Sequence, residues 1–321
     1  MKKLSLLILF CSCLMSLTFA QKPTEISGDL VIFHAGSLSV PMKEIKAEFN
    51  KLYPKVNVLL EPAGSVECAR KITDLKKPCD ILASSDYKVI DKMLIPEYAD
   101  WNIKFARNEL ALVYTEKAKY SDKINSKNWY EILMKQDVVF GRADPNADPC
   151  GYRSAMCIQL SETYYKKPGL AKQMLAKDLN YIRPKEVDLL ALLESNNVDY
   201  IFLYRSVAVQ HKLKFVVLPD QINLGDPKYA DDYVKAIVDI KGKEPGKTEQ
   251  MKGEPMIYGV TILNNAPNRE AALAFLEFML SKDKGMAIME KDGQPSVIPM
   301  PEKNYSAVPD RLKPFVKKLQ N

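Results

Sequence analysis

The sequence predicts an α/β protein of about two domains built on parallel, doubly wound sheets, and three observations carry that reading. The chain has 321 residues, about twice the ~150 of an average domain. From Asp29 onward, short β-branched runs alternate with amphipathic stretches in three successive strand–helix units, the pattern of a parallel sheet covered by helices on both faces. After an apolar run at Glu109–Tyr114 the alternation starts again, as a second α/β unit.

In order, Leu30-Val31-Ile32-Phe33 is a strand, and 34–38 a loop. Met42, Ile45, Phe49 and Leu52 follow at helical spacing. Val56–Leu60 is the next strand, then a loop at 61–65 and a helix to about Leu75. Ile81-Leu82 is the third strand, with a helix from Asp86 to Leu94. The second unit reads as helix 127–135, strand 138–141, helix 151–164, helix 187–195, strand 198–204, helix 206–212 and strand 215–218. Met256–Leu263 is another strong strand, followed by helices at 268–281 and 283–290 and a polar, proline-bearing tail. No tandem repeat occurs, and the Lys/Glu/Gly/Pro-rich stretch 241–254 reads as a mobile loop.

Composition narrows the class. With 47% hydrophobic and 27% charged residues and a mean hydropathy of −0.21, the chain reads as globular and soluble, neither disordered nor polytopic. Residues 1–20 combine Lys2 and Lys3, an apolar run from Leu4 and a small-x-small Thr18-Phe19-Ala20, which predicts a signal peptide cleaved before Gln21. A lipoprotein modified at Cys13 fits less well, because Phe10-Cys11-Ser12 is a poor lead-in and the apolar Leu14–Ala20 would remain. The mature protein is therefore expected to be exported and periplasmic. Losing Lys2 and Lys3 lowers the formal charge from +6 to +4, too small and scattered an excess for nucleic acid. Two histidines, His34 and His211, exclude a His-rich metal centre. Cys68, Cys79, Cys150 and Cys157 remain in an oxidising compartment, where three pairings are open, and none has C-x-x-C spacing.

The first three units share a chemical feature. Their strands lead into Ala35-Gly36-Ser37, Ala63-Gly64-Ser65 and Ala83-Ser84-Ser85, each just before a helix. In an open α/β sheet such turns lie at the carboxyl edge, where ligands bind. A serine hydroxyl beside a helix N-terminus, with its unpaired N–H groups, suits an oxyanion; the plainer alternative is that each serine is a helix N-cap. Asp144–Ser154 leaves strand 138–141 at the same kind of edge, and Asp148 there could equally be a turn or cap residue. Gly242–Thr248 resembles a P-loop but is one residue short between its glycines and lacks the strand and helix. G-x-G-x-x-G, H-E-x-x-H and G-x-S-x-G are absent from the sequence.

Phe33–Ser39, Ala63–Cys68, Phe105–Glu109, Asp148–Ser154, Pro184-Lys185-Glu186 and Ser206–His211 resemble the archaeal-type tungstate/molybdate-binding proteins of ABC transporters, over about 29 to 300. The resemblance implies a two-lobed periplasmic-binding-protein fold of the second type, each lobe a doubly wound sheet flanked by helices. Residues 27–111 plus 255–321 would form the first lobe and 112–254 the second, with the strand at 109–114 crossing between them. It also implies a monomer without cofactor or catalysis, delivering molybdate or tungstate to an inner-membrane permease. Carried over by motif, the oxyanion contacts are Gly36, Ser37, Ser65, Asp148, Pro149, Cys150, Glu186 and Tyr204. Glu186 is placed by its local motif, and Cys79 and Cys157 lie outside the family pattern.

Two carboxylates look wrong for a dianion, since charges a few ångströms apart in a partly dry cleft repel by several kcal/mol. The chemistry of the implied ligand resolves this. Molybdenum(VI) and tungsten(VI) are Lewis acids that accept oxygen donors beyond their four oxo groups, so Asp148 and Glu186 would complete a six-coordinate centre. Sulfate and phosphate, the alternative ligands, would meet the repulsion with no bond in return. A further alternative, an enzyme on the same fold, would need an acid/base pair.

Overall fold

Strand β1 (Gly28–Ala35) opens the chain in a computed structural model that describes residues 26–242 and 246–319. The predicted signal peptide and Cys13 lie outside the described residues. Helix α1 (Ser39–Leu52) buries Met42, Ile45 and Phe49, three of the four residues of the predicted stripe; Leu52, its last residue, is exposed. Then come β2 (Val56–Ala63), α2 (Ser65–Thr73), β3 (Ile81–Ser84), α3 (Tyr87–Met93) and β4 (Ile103–Arg107). Strand β4 was not predicted.

The second half follows with β5 (Leu110–Tyr114), α4 (Trp129–Leu133), β6 (Phe140–Ala143), α5 (Pro149–Tyr164), α6 (Leu170–Ala176), β7 (Ile182–Arg183), α7 (Asp188–Glu194), β8 (Tyr200–Tyr204), α8 (Arg205–Gln210) and β9 (Lys214–Val217). Short helices α9 (Asp220–Asn223) and α10 (Ala230–Tyr233) lead to β10 (Ile237–Lys241) and β11 (Thr248–Lys252). The chain ends with β12 (Ile257–Ile262), α11 (Arg269–Leu280), α12 (Gly285–Lys291), β13 (Met300–Glu302) and β14 (Val316–Lys318).

Two five-stranded sheets result, in the orders β2-β1-β3-β12-β4 and β7-β6-β8-β5-β9. The predicted parallel pairing is found for β1 with β2 and β3 and for β6 with β7 and β8. One strand in each sheet runs against its neighbours, β12 in the first and β5 in the second. These are the strands by which the chain enters one sheet from the other. Arriving without a helical crossover, each is free to pair antiparallel. Both are buried along their whole length, which explains why they read as continuous apolar runs.

Two expectations need correction. Leu110 and Ala111, assigned to the first lobe, pair with Tyr204 and Leu203 in the second sheet, so the crossing falls at Asn108-Glu109 and not within the strand. An unbroken apolar run carries no mark of which sheet it joins. The stretch 241–254 is not a loop throughout: β10 and β11 pair antiparallel, Lys241 opposite Thr248, while 243–245 lie outside the described residues. Its strands show mostly polar faces to solvent and bury only Ile240 and Met251, so the period-two signal is thin. Helix α6 was also missed.

Among the described residues no helix is long and apolar enough to cross a membrane. Cys68, Cys79, Cys150 and Cys157 are all buried free thiols. Cys150 and Cys157 lie two turns apart on α5, roughly 10 Å along its axis, beyond disulfide reach; that removes one of the pairings.

Candidate anion-binding site

The three serine turns meet at the carboxyl edge of the first sheet, and none of their serines caps a helix. Ser37 lies in the turn Gly36–Leu38 ahead of α1, whose N-cap is Leu38. Ser65 is the first residue of α2, capped by Gly64. Asp86, not Ser84 or Ser85, caps α3, its Oδ1 accepting the Lys88 N–H at 2.9 Å. The capping alternative is thereby excluded. The Ser65 hydroxyl instead accepts the Ser85 N–H at 3.0 Å and lies 3.2 Å from the Ser85 hydroxyl. Ser37 Oγ lies 2.9 Å from Tyr258 Oη. Ser37, Ser65 and Ser85 are all buried.

Facing them is the N-terminus of α5. Asp148 is its N-cap, Oδ1 accepting the Cys150 N–H at 2.7 Å, with Pro149 at the first helical position, where a missing N–H costs nothing. Its Oδ2 accepts the Glu186 N–H at 3.1 Å. One carboxylate thus caps a helix and fixes the loop that presents the second. Glu186 is 1% exposed; neither of its carboxylate oxygens makes a well-formed hydrogen bond, although the Asp148 carboxyl and the Ser37 backbone stand close enough to act on its charge. Burial, and then the neighbouring Asp148 charge, push its acid well above the usual carboxylate range; burial raises Asp148 as well. A buried carboxylate so poorly satisfied is costly, and this one stands at the meeting point of the serine turns and α5.

The glycines let these pieces touch. A Cβ on Gly36 would stand 3.1 Å from both Glu186 oxygens, and one on Gly64 would stand 2.3 Å from the Ala147 carbonyl. Backbone therefore approaches the carboxylate on one side and the Asp148 loop on the other, where the Glu67 N–H donates to Ala147 O at 3.2 Å. Cys150 contributes its backbone; its buried thiol faces Phe202 O at 3.8 Å and is pushed well up.

All eight sequence-predicted residues come together across the two sheets, with a set that was not selected. Arg153, one turn into α5, is 2% exposed. Its Nη1 donates to Ser85 O at 2.7 Å and Tyr204 Oη at 3.1 Å, and its Nη2 lies 3.3 Å from Asp86 Oδ2. Tyr152 Oη donates to the same Asp86 oxygen at 2.5 Å. Asp86 belongs to the first lobe and Tyr152 and Arg153 to the second, so this buried ion pair bridges the cleft. The signal for Arg153 was its place in the Asp148–Ser154 motif, on a helix with 12 of its 16 residues buried. Asp86 carried none beyond a capping position. His34, weighed as a nucleophile, is buried with Nδ1 2.8 Å from Ala35 O. Burial lowers its pKa to about 4, leaving it neutral.

The cleft therefore brings together serine hydroxyls as donors, the positive end of α5, a guanidinium behind them and a carboxylate with little else to bond. Sequence and structure comparisons show the family and the fold. The family model for bacterial extracellular solute-binding proteins matches residues 30–294. The chain is 44% identical, over 317 residues and 90% of each chain, to the molybdate/tungstate-binding protein WtpA of Pyrococcus abyssi. Among solved structures it resembles the periplasmic molybdate-binding protein of Azotobacter vinelandii (15% identity, TM-score 0.59, 84% of this chain and 99% of that one). It resembles the sulfate-binding protein SubI of Mycobacterium tuberculosis to a similar degree (13% identity, TM-score 0.60, 84% and 87%). Those two structures share this fold and are named for different tetrahedral anions.

Proposed function

Because the chain belongs to the bacterial extracellular solute-binding protein family, and so binds a solute without transforming it, we propose that its solute is molybdate or tungstate. The observation that carries this is Glu186, buried, with neither oxygen committed to a well-formed hydrogen bond and set among donors suited to an oxyanion. A sulfate receptor gains nothing from such a group, whereas a six-valent metal centre gains a ligand. Asp148 adds a second carboxylate, although its oxygens already accept two backbone N–H groups. Glu186 is thus the freer donor and Asp148 both donor and support. Gly36, Ser37, Ser65, Pro149, Cys150 and Tyr204 complete the proposed contacts. The protein would be exported by its leader, act as a periplasmic monomer with lobes divided near Asn108 and again before β12, and hand its anion to an ABC permease.

Native mass spectrometry should detect a bound molybdate or tungstate. X-ray absorption should show a six-coordinate metal with short oxo bonds and longer carboxylate bonds. Four equal bonds would reduce the site to a generic oxyanion receptor. Ser37→Ala and Ser65→Ala should each weaken binding by about 1.5–3 kcal/mol, the worth of a hydrogen bond to a charged group, or roughly 10- to 100-fold in calorimetry. Wild-type affinity in both would remove the serines from the site.

A further inference from the structure

We infer that Tyr258 is a positioning residue that turns the Ser37 hydroxyl into a hydrogen-bond donor toward the cleft. The inference rests on the cleft being the oxyanion site proposed above. It follows from counting donors and acceptors along a buried chain that begins at Asn108.

The Asn108 amide is held one way round, because its Oδ1 accepts the Glu109 N–H at 2.9 Å and the Ser206 N–H at 3.4 Å. Its Nδ2, which can only donate, then faces Ser206 Oγ at 2.7 Å and Tyr258 Oη at 2.8 Å. Gln294 Nε2, fixed as a donor by its 2.9 Å bond to Ser37 O, also faces Tyr258 Oη, at 3.5 Å. Tyr258 Oη thus receives protons from two amides, and Ser37 Oγ, at 2.9 Å, is left to take its own. Burial raises the phenol pKa to about 12, so it keeps that proton at neutral pH. With an oxygen lone pair occupied by Tyr258, Ser37 directs its hydrogen into the cleft beside Glu186.

Ser65 is held from the other side: its oxygen accepts the Ser85 N–H, which leaves its hydrogen for the cleft or for the Ser85 hydroxyl 3.2 Å away. Ser37 is thus held as a donor, the polarity a fully deprotonated oxyanion requires. Asn108 lies in the segment that carries the chain from the first sheet to the second, so the chain that orients Ser37 is anchored where the lobes join.

The test is a double-mutant cycle read by calorimetric titration, with molybdate, tungstate, sulfate and hydrogen phosphate offered in turn. Tyr258→Phe, which keeps the ring, should bind the preferred anion about 10-fold more weakly. In a Ser37→Ala background the same change should cost less than 2-fold. Asn108→Ala, which frees the phenol to rotate, should lose about 3-fold, and again nothing further without the Ser37 hydroxyl. A merely structural role would give losses that multiply in the double variants. Multiplying losses, or undiminished affinity in Tyr258→Phe, would overturn the inference while leaving the site reading intact. If the unsubstituted protein binds none of the four anions, both fall together.

Discussion

Glu186→Gln is expected to bind molybdate at least about 100-fold more weakly while making the ligand-free protein more stable. The first half follows from coordination: a carboxylate bond to the metal is lost, and the amide oxygen that replaces it is a weaker donor. A factor of 100 corresponds to about 2.8 kcal/mol. Electrostatics alone predicts the opposite, since a negative charge is taken away from an approaching dianion. The second half follows from linkage. Burial and Asp148 raise the Glu186 pKa in the folded state, so the stability it contributes is fully present below its unfolded pKa, about 4.3, and is lost as pH rises toward the folded value. At neutral pH the glutamate is a burden that a neutral amide lifts, and the unfolding midpoint should rise by a few degrees. Asp148→Asn should weaken binding too but without stabilisation, because Asp148 accepts two backbone N–H groups and an amide can serve only one of them. A raised carboxylate pKa also means that ligation displaces a proton. Affinity should therefore climb with pH, and calorimetric enthalpies in buffers of different ionisation heat should reveal proton release. Tighter molybdate binding by Glu186→Gln would sink the coordination reading.

That the serine turns could be read from the residues, and that the positions carried over by resemblance gather in one cleft with them, has a physical basis. Gly-Ser pairs after strands and an Asp-Pro-Cys helix start are local patterns, and a doubly wound sheet brings its carboxyl-edge turns to one place. The reversed strands β5 and β12 were not visible as such, since direction within a sheet depends on how the chain arrives, which an apolar run does not record. Nor did the sequence distinguish the two roles of Asp148. Its cap on α5 is local, but its bond to the Glu186 N–H joins residues 38 apart. Asp86 was invisible for the same reason: its partners Tyr152 and Arg153 belong to the other lobe. What escaped is long-range and polar, made when two lobes meet.

Arg153→Met should cost about as much binding as the loss of Glu186, by a different route. Arg153 and Asp86 are both almost fully buried at 3.3 Å, one from each lobe. Removing one member of such a pair strands the other charge, at a cost of about 3–5 kcal/mol, or roughly 100-fold to several thousand-fold. Because Asp86 is buried against the facing lobe, the penalty should fall on the closed form and spare an open one in which water reaches the carboxylate. Small-angle scattering should then show the unsubstituted protein contracting on saturation with molybdate, and Arg153→Met remaining extended at the same concentration. Asp86→Asn added to Arg153→Met removes the stranded charge, and a well-packed neutral pair is often no worse than an ion pair. The double variant should therefore recover contraction and much of the affinity. If it stays as weak as Arg153→Met, the guanidinium acts on the anion itself and not through Asp86; if Arg153→Met contracts and binds normally, the bridge does not hold the lobes together.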